Sequence, residues 1–194
     1  MPWRMDLTKK IIFDLDDTLY KEGELRERRE KAIHNFLGEK TKDYLELRKS
    51  RGTLVSLEAL GVSRQQFFKL MEEVPINLKK NEDLVLLLKN LKTQYKLFVL
   101  SNSPKKCVFE TLKQLGILDL IEEYYGGDDF KNNKPSEENF FMVQAGDICV
   151  GNRFDKDLAV PKKKGAITVF ISETPNEEAH FNIKSIYDLG QLKL

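Results

Sequence analysis

Lys10-Ile11-Ile12-Phe13-Asp14-Leu15-Asp16-Asp17-Thr18-Leu19-Tyr20 is the stretch that decides the fold. Lys10 to Phe13 reads as a short, largely apolar strand that stops abruptly at Asp14. Asp14, Asp16 and Asp17 then crowd the carboxyl end of that strand. Three carboxylates so close together repel one another, and a cation relieves them; carboxylates with water and phosphate oxygens suit Mg²⁺. Asp14 is also placed to act as a nucleophile that forms an aspartyl-phosphate. Asp16, two residues on, is placed to act as general acid and then as base. A solvated acidic loop is the plainer alternative, and the position directly after an apolar strand favours chemistry.

Further apolar runs follow at Leu97 to Leu100, Tyr124 to Gly126, Ile148 to Val150 and Ala166 to Ile171. Helical segments alternate with them, which predicts an α/β fold with a doubly wound parallel sheet. Ser103 is expected to cap a helix with Pro104 at its first position, and Gly116 to close it. A short helix is expected over Ser136 to Gln144, and a short strand and capping helix over Ile183 to Leu194. Between the first two strands, Lys21 to Lys89 reads almost entirely helical. Leu25, Ala32, Ile33, Phe36 and Leu37 lie near one helix face; Gly38 or Gly52 punctuates. Ser63 and Gln66 form a capping box, Pro75 ends that helix, and Asn81 caps the next. The stretch is too long for a plain crossover. It predicts a helical cap, residues 21–89, inserted into a core made of residues 1–20 and 90–194.

Composition narrows the function classes. The chain has 194 residues, 41% of them hydrophobic, enough for one core domain with a small insertion. Lys and Arg total 32 against 31 Asp and Glu, so the basic excess of a nucleic-acid binder or polybasic membrane protein is missing. No window approaches the roughly 18 apolar residues of a membrane span. Residues 1–10 show no apolar stretch of signal-peptide length. Cys107 and Cys149 belong to no paired motif and read as buried, reduced thiols. These features together predict a cytoplasmic protein. His34 reads as a packing residue, and His180 as inert in a polar loop. Tyr20 is a candidate for substrate contact or packing.

In open α/β sheets the ligand lies beyond the carboxyl ends of the strands. Ser101 and Asn102 follow the second strand and can hold phosphate oxygens. Lys134-Pro135 lies in a polar loop, where a lysine can neutralise an aspartyl nucleophile and a phosphate; Lys131 is the fallback. Gly151-Asn152, with Asp157 downstream, follows the fourth strand and can complete a metal site. In this order the four segments resemble the motifs of the haloacid dehalogenase-like superfamily of phosphohydrolases. Phe13 to Tyr20 matches its first motif, Ser101 its second, Lys134-Pro135 its third and Gly151-Asn152 with Asp157 its fourth.

The resemblance implies a Rossmann-like sheet with a small cap and a Mg²⁺-dependent phosphomonoesterase. Asp14 is then the nucleophile, Asp16 the general acid and base, and Ser101 and Asn102 the phosphoryl ligands. Lys134 steadies both nucleophile and phosphate. The metal is implied to bind Asp14, the backbone carbonyl of Asp16, and the fourth motif through Asn152 and Asp157. Asp16 separates this pattern from dehalogenase members, which lack it. Asn152 departs from the family's usual aspartate, and its amide oxygen brings no charge; Asp157, or else Asp155, is expected to compensate. The stretch from Lys134 to Asn152 is also short for the family. A small cap implies a small phosphorylated metabolite. The Asp-Asp-Thr-Leu-Tyr stretch looks like that of pyrimidine 5′-nucleotidase-type members, so nucleoside monophosphates and sugar phosphates are both expected substrates. The alternatives are a non-catalytic binding module on this fold, marked by Asn152, and a phosphomutase.

Overall fold

A computed structural model describes residues 9–192. They divide into two compact units, the helical segment Glu22–Asn77 and the remainder, which holds the sheet. The earliest part of the expected core, residues 1–8, and the last two residues of the expected tail lie outside the described residues, as does most of the segment read for a signal peptide.

The sheet unit contains six parallel strands: β1 (Lys10–Phe13), β2 (Lys96–Leu100), β3 (Glu123–Tyr125), β4 (Ile148–Gly151), β5 (Ile167–Ile171) and β6 (Phe181–Ile183). Their spatial order is β3-β2-β1-β4-β5-β6. The chain therefore winds one way from β1 to β3 and the other way from β4 to β6. The order reverses between β1 and β4, which is where ligands bind in such sheets. Ile11, Ile12 and Phe13 are all buried, as expected of a central strand covered on both faces. Phe13 pairs with Val99 on one side and Val150 on the other, so the residues after β1, β2 and β4 emerge at one edge.

Helix α5 (Glu82–Lys92) belongs to the sheet unit. The predicted domain boundary at 89 falls inside it. Leu84, Val85 and Leu88 are buried, and the helix packs on β2 and on the C-terminal 3₁₀ turn Ile186–Gln191, so the division falls after Asn77 instead. Asn81 caps α5 as expected, its Oδ1 accepting from Leu84 N at 3.0 Å. Helix α6 (Lys105–Leu115) closes at Gly116 in the left-handed conformation. Ser103 does not cap α6; its hydroxyl is engaged elsewhere, and Asp128 Oδ1 accepts from Lys105 N at 2.6 Å instead. Gly126 makes that approach possible, because a Cβ there would lie 2.3 Å from Lys105 N. The helix predicted over Ser136 to Gln144 is only a 3₁₀ turn, Glu137–Phe140. The next backbone bonds, Val143 N to Phe140 O and Asp147 N to Gln144 O, close over three residues rather than four. His180 is tied to the sheet, with its Nδ1 accepting from Thr168 N at 3.1 Å.

The Glu22–Asn77 unit contains α1 (Gly23–Leu37), α2 (Thr41–Arg48), α3 (Thr53–Ala59) and α4 (Arg64–Glu73). Leu25, Arg29, Ile33 and Leu37 form the buried stripe of α1 at intervals of four. Phe36, expected on that face, is 47% exposed, one step off the stripe. Both expected glycines punctuate: Gly38 ends α1 and Gly52 precedes α3. The Ser63–Gln66 capping box forms as expected, with side-chain bonds in both directions.

Cys107 and Cys149 are both buried. Burial, with the nearby Asp147 carboxylate, pushes the Cys149 thiol above the ordinary range, so little thiolate exists at neutral pH. We expect no reaction of either thiol with Ellman's reagent in the native protein and full reaction of both in denaturant. Rapid native labelling would contradict this packing.

Candidate active site

The loop after β1 is built by its apolar residues. Leu15 and Leu19 are each 1% exposed and anchor it inward. The amides of Thr18 and Leu19 both donate to Leu15 O, at 3.2 and 3.0 Å. Asp17 takes the left-handed conformation at φ 59° that this tight turn needs, a conformation Asp tolerates better than most residues. Asp14 itself is still in the ladder, donating from its backbone N to Val150 O at 2.9 Å.

Lys134 is the centre of the site. Its side chain is 3% exposed, and its Nζ donates to Asp14 Oδ1 at 2.6 Å and to Asp157 Oδ1 at 2.7 Å. The third N–H goes to Leu100 O at 2.9 Å, so all three donors of the ammonium are used. Burial disfavours its charge, but the Asp14 and Asp157 carboxylates more than reverse that and hold its pKa above the ordinary lysine value. Lys134 therefore lies between the carboxylates that follow β1 and β4. Lys131 is exposed and is not among these contacts.

Asp157 comes from a π-helical turn, Phe154–Leu158, that runs into α7 (Ala159–Lys163). Gly151 lets that turn close on the strand end, since a Cβ there would lie 2.5 Å from Asp157 Cβ. Asp157 Oδ2 accepts from Arg153 N at 3.0 Å. Each Asp157 oxygen thus accepts one hydrogen bond, and Asp157 is a buried partner of Lys134. Asp155 is exposed and pairs with Arg153 at 3.6 Å. Asn152, half-buried, directly follows β4.

The remaining site residues divide between the two catalytic candidates. Thr18 Oγ1 donates to Asp14 Oδ2 at 2.9 Å, so Lys134 and Thr18 hold opposite oxygens of one carboxylate. Asp16 Oδ1 accepts from Tyr20 OH at 2.6 Å, and its Oδ2 accepts from Ser103 Oγ at 2.8 Å and Ser101 Oγ at 3.4 Å. Asn102 Oδ1 accepts from Lys134 N at 2.8 Å, so this side chain buttresses the lysine loop. Sequence reasoning gave Thr18 and Ser103 no place here. Thr18 was visible as part of the first motif; a serine just before a helix carries no mark that separates a cap from a carboxylate ligand.

Burial first, and then the neighbouring Asp157 carboxylate, push the Asp14 carboxyl up to about 7; Lys134 pulls the other way and Asp16 adds to the rise. Carboxylate exceeds ammonium in this crevice. The donors are all oxygen, which is the chemistry of a hard divalent cation. Among the described residues no three His, Cys, Asp or Glu side chains form a metal-holding group.

A family model described as haloacid dehalogenase-like hydrolase matches residues 11–144. The chain belongs to that family. The match spans Asp14, Asp16, Ser101, Asn102 and Lys134, and stops before Asn152 and Asp157. No curated protein matches. Among solved structures, a HAD phosphatase from Thermococcus onnurineus is 24% identical with a TM-score of 0.70, over 94% of this chain and 96% of that one. A β-phosphoglucomutase from Clostridium difficile is 19% identical with a TM-score of 0.65, over 93% and 92%. A Bacillus subtilis HAD-hydrolase bound to magnesium is 14% identical with a TM-score of 0.64, over 94% and 97%. At these identities the likeness is one of fold.

Replacing Lys134 removes the counter-charge that both the half-buried Asp14 and the buried Asp157 carboxylates share. Lys134→Met is expected to cost about 3–5 kcal/mol in urea unfolding, with part recovered on adding Asp157→Asn. A fully stable single variant would show that the ammonium does not bridge these acids.

Proposed function

We propose that this family member is a Mg²⁺-dependent phosphomonoesterase acting through an aspartyl-phosphate on Asp14. The observation that carries it is the pair of differently held carboxylates on one loop. Asp14 is held by Lys134 and Thr18, and Asp16 by the hydroxyls of Tyr20 and Ser103. A nucleophile and a separate acid–base group are what phosphate-ester hydrolysis in two steps requires.

In the first step an Asp14 carboxylate oxygen attacks phosphorus and the bond from phosphorus to the ester oxygen breaks. Asp16 gives its proton to that leaving oxygen. In the second step Asp16 takes a proton from water, the water oxygen attacks phosphorus, and the bond to Asp14 breaks, releasing phosphate. Ser101 and the Asn102 amide are assigned to the phosphoryl oxygens, and Lys134 holds the nucleophile in place. Asp14, the Asp16 carbonyl and Asn152 would hold Mg²⁺. When bound, the ion would supply positive charge that keeps Asp14 ionised and offsets charge on the phosphoryl group. The Glu22–Asn77 unit is read as the cap of such an enzyme, and its small size favours a small organic phosphate, a nucleoside monophosphate or a sugar phosphate.

A non-catalytic binding module is the second reading, and Asn152 favours it, because an uncharged ligand weakens the metal site. A phosphomutase would pass the phosphoryl group to an added sugar phosphate instead of water. The test is phosphate release from p-nitrophenyl phosphate with and without Mg²⁺. We expect Mg²⁺-dependent turnover, its loss in Asp14→Asn, and half-maximal rate at lower Mg²⁺ in Asn152→Asp. Silence of both the wild type and Asn152→Asp would reject the phosphatase.

A further inference from the structure

We propose that Tyr20 and Ser103 are positioning residues for Asp16, gripping its carboxylate from both sides so that a single rotamer serves the leaving group. The proposal deepens the phosphatase reading and rests on it. Tyr20 lies four residues after Asp16, and the two form an isolated parallel bridge that sets Tyr20 alongside Asp16. This brings the phenol to Asp16 Oδ1 at 2.6 Å from a side chain that is only 8% exposed. Ser103 reaches Oδ2 at 2.8 Å from the other strand end, while its own backbone N donates to Ser101 Oγ at 3.0 Å. The grip thus joins two separate segments of the site.

Two features argue against a purely structural role. Ser103, one residue ahead of the N-cap Pro104, turns its hydroxyl to Asp16 rather than to an α6 amide, and Asp128 accepts from the first amide of the helix. Tyr20 would pack as well without its hydroxyl, yet the hydroxyl is aimed at a carboxylate. A general acid must lie within hydrogen-bond reach of the atom it protonates, and a free Asp side chain samples several rotamers. Hydroxyls on both oxygens remove that freedom. They leave the acid–base function intact, because a hydroxyl can turn to accept when the carboxyl carries a proton.

Leaving-group dependence tests the proposal. p-Nitrophenolate departs without a proton, whereas an alkoxide needs one. kcat/KM, which reports the steps through departure of the leaving group, is measured for p-nitrophenyl phosphate and glycerol 2-phosphate. We expect Tyr20→Phe and Ser103→Ala each to lower the alkyl value at least about tenfold more than the aryl value, a fraction of what general acid catalysis supplies. Ser103→Thr, which keeps the hydroxyl, restores the wild-type ratio. Thermal melting shows that each variant is folded. If Asp16→Asn shifts the ratio but neither Tyr20→Phe nor Ser103→Ala does, the positioning role is overturned and the phosphatase stands. If the wild type hydrolyses neither ester, the phosphatase reading falls and this proposal falls with it.

Discussion

The Lys134 ammonium is the constraint on which the rest of the site depends. It joins Asp14 at the end of β1, Leu100 at the end of β2 and Asp157 beyond β4. Three strand ends from the middle of the sheet are thereby tied to one buried charge. Such a group is costly to bury alone and stable only when all its donors are used. Here they are all used, so the surrounding backbone has little freedom to rearrange. The Asn102 contact to Lys134 N and the close approach of Gly151 to Asp157 both serve this arrangement. They explain why the loops after β2 and β4 take the paths they do.

Much of the fold was legible in the sequence because a buried parallel strand is written as an uninterrupted apolar run. The first five strands lie where such runs predict them, within one residue at each end, whereas β6 touches the expected tail segment only at Ile183. The switch point between β1 and β4 belongs to the spatial order of the strands, which the apolar runs do not specify. Periodicity failed where polar partners decide. The segment at Glu137–Phe140 has helical composition, yet its backbone closes into a tighter turn. The boundary before α5 was hidden because a helix that packs on a sheet and one that packs on other helices carry the same apolar stripe.

The site was less legible than the fold, and the reason is chemical. A carboxylate, a hydroxyl or an amide can serve as ligand, buttress or cap, and spacing does not choose among them. Asp157 was expected at a metal and lies against the Lys134 ammonium; Asn102 was expected at a phosphate, and its side-chain oxygen holds the lysine loop. Ser103 and Asp128 show the substitution most directly. A serine ahead of a proline that opens a helix reads as its cap, but Pro104 takes the N-cap position, the carboxylate of Asp128 reaches the Lys105 amide from another loop, and the serine turns to Asp16. Only the tertiary fold brings those groups together.

The two outermost of the described strands, β3 and β6, have three residues each, against four or five in the strands between them. An unpaired strand edge is a template for another chain, and long flat edges invite aggregation. Here each border exposes only a few backbone groups, beside the exposed Glu123 and Asn182. The most apolar strands, which would be dangerous at a border, are enclosed at the centre. The short margins thus shield the molecule from sticking to its own copies, with the edge that carries the crevice left open for a ligand.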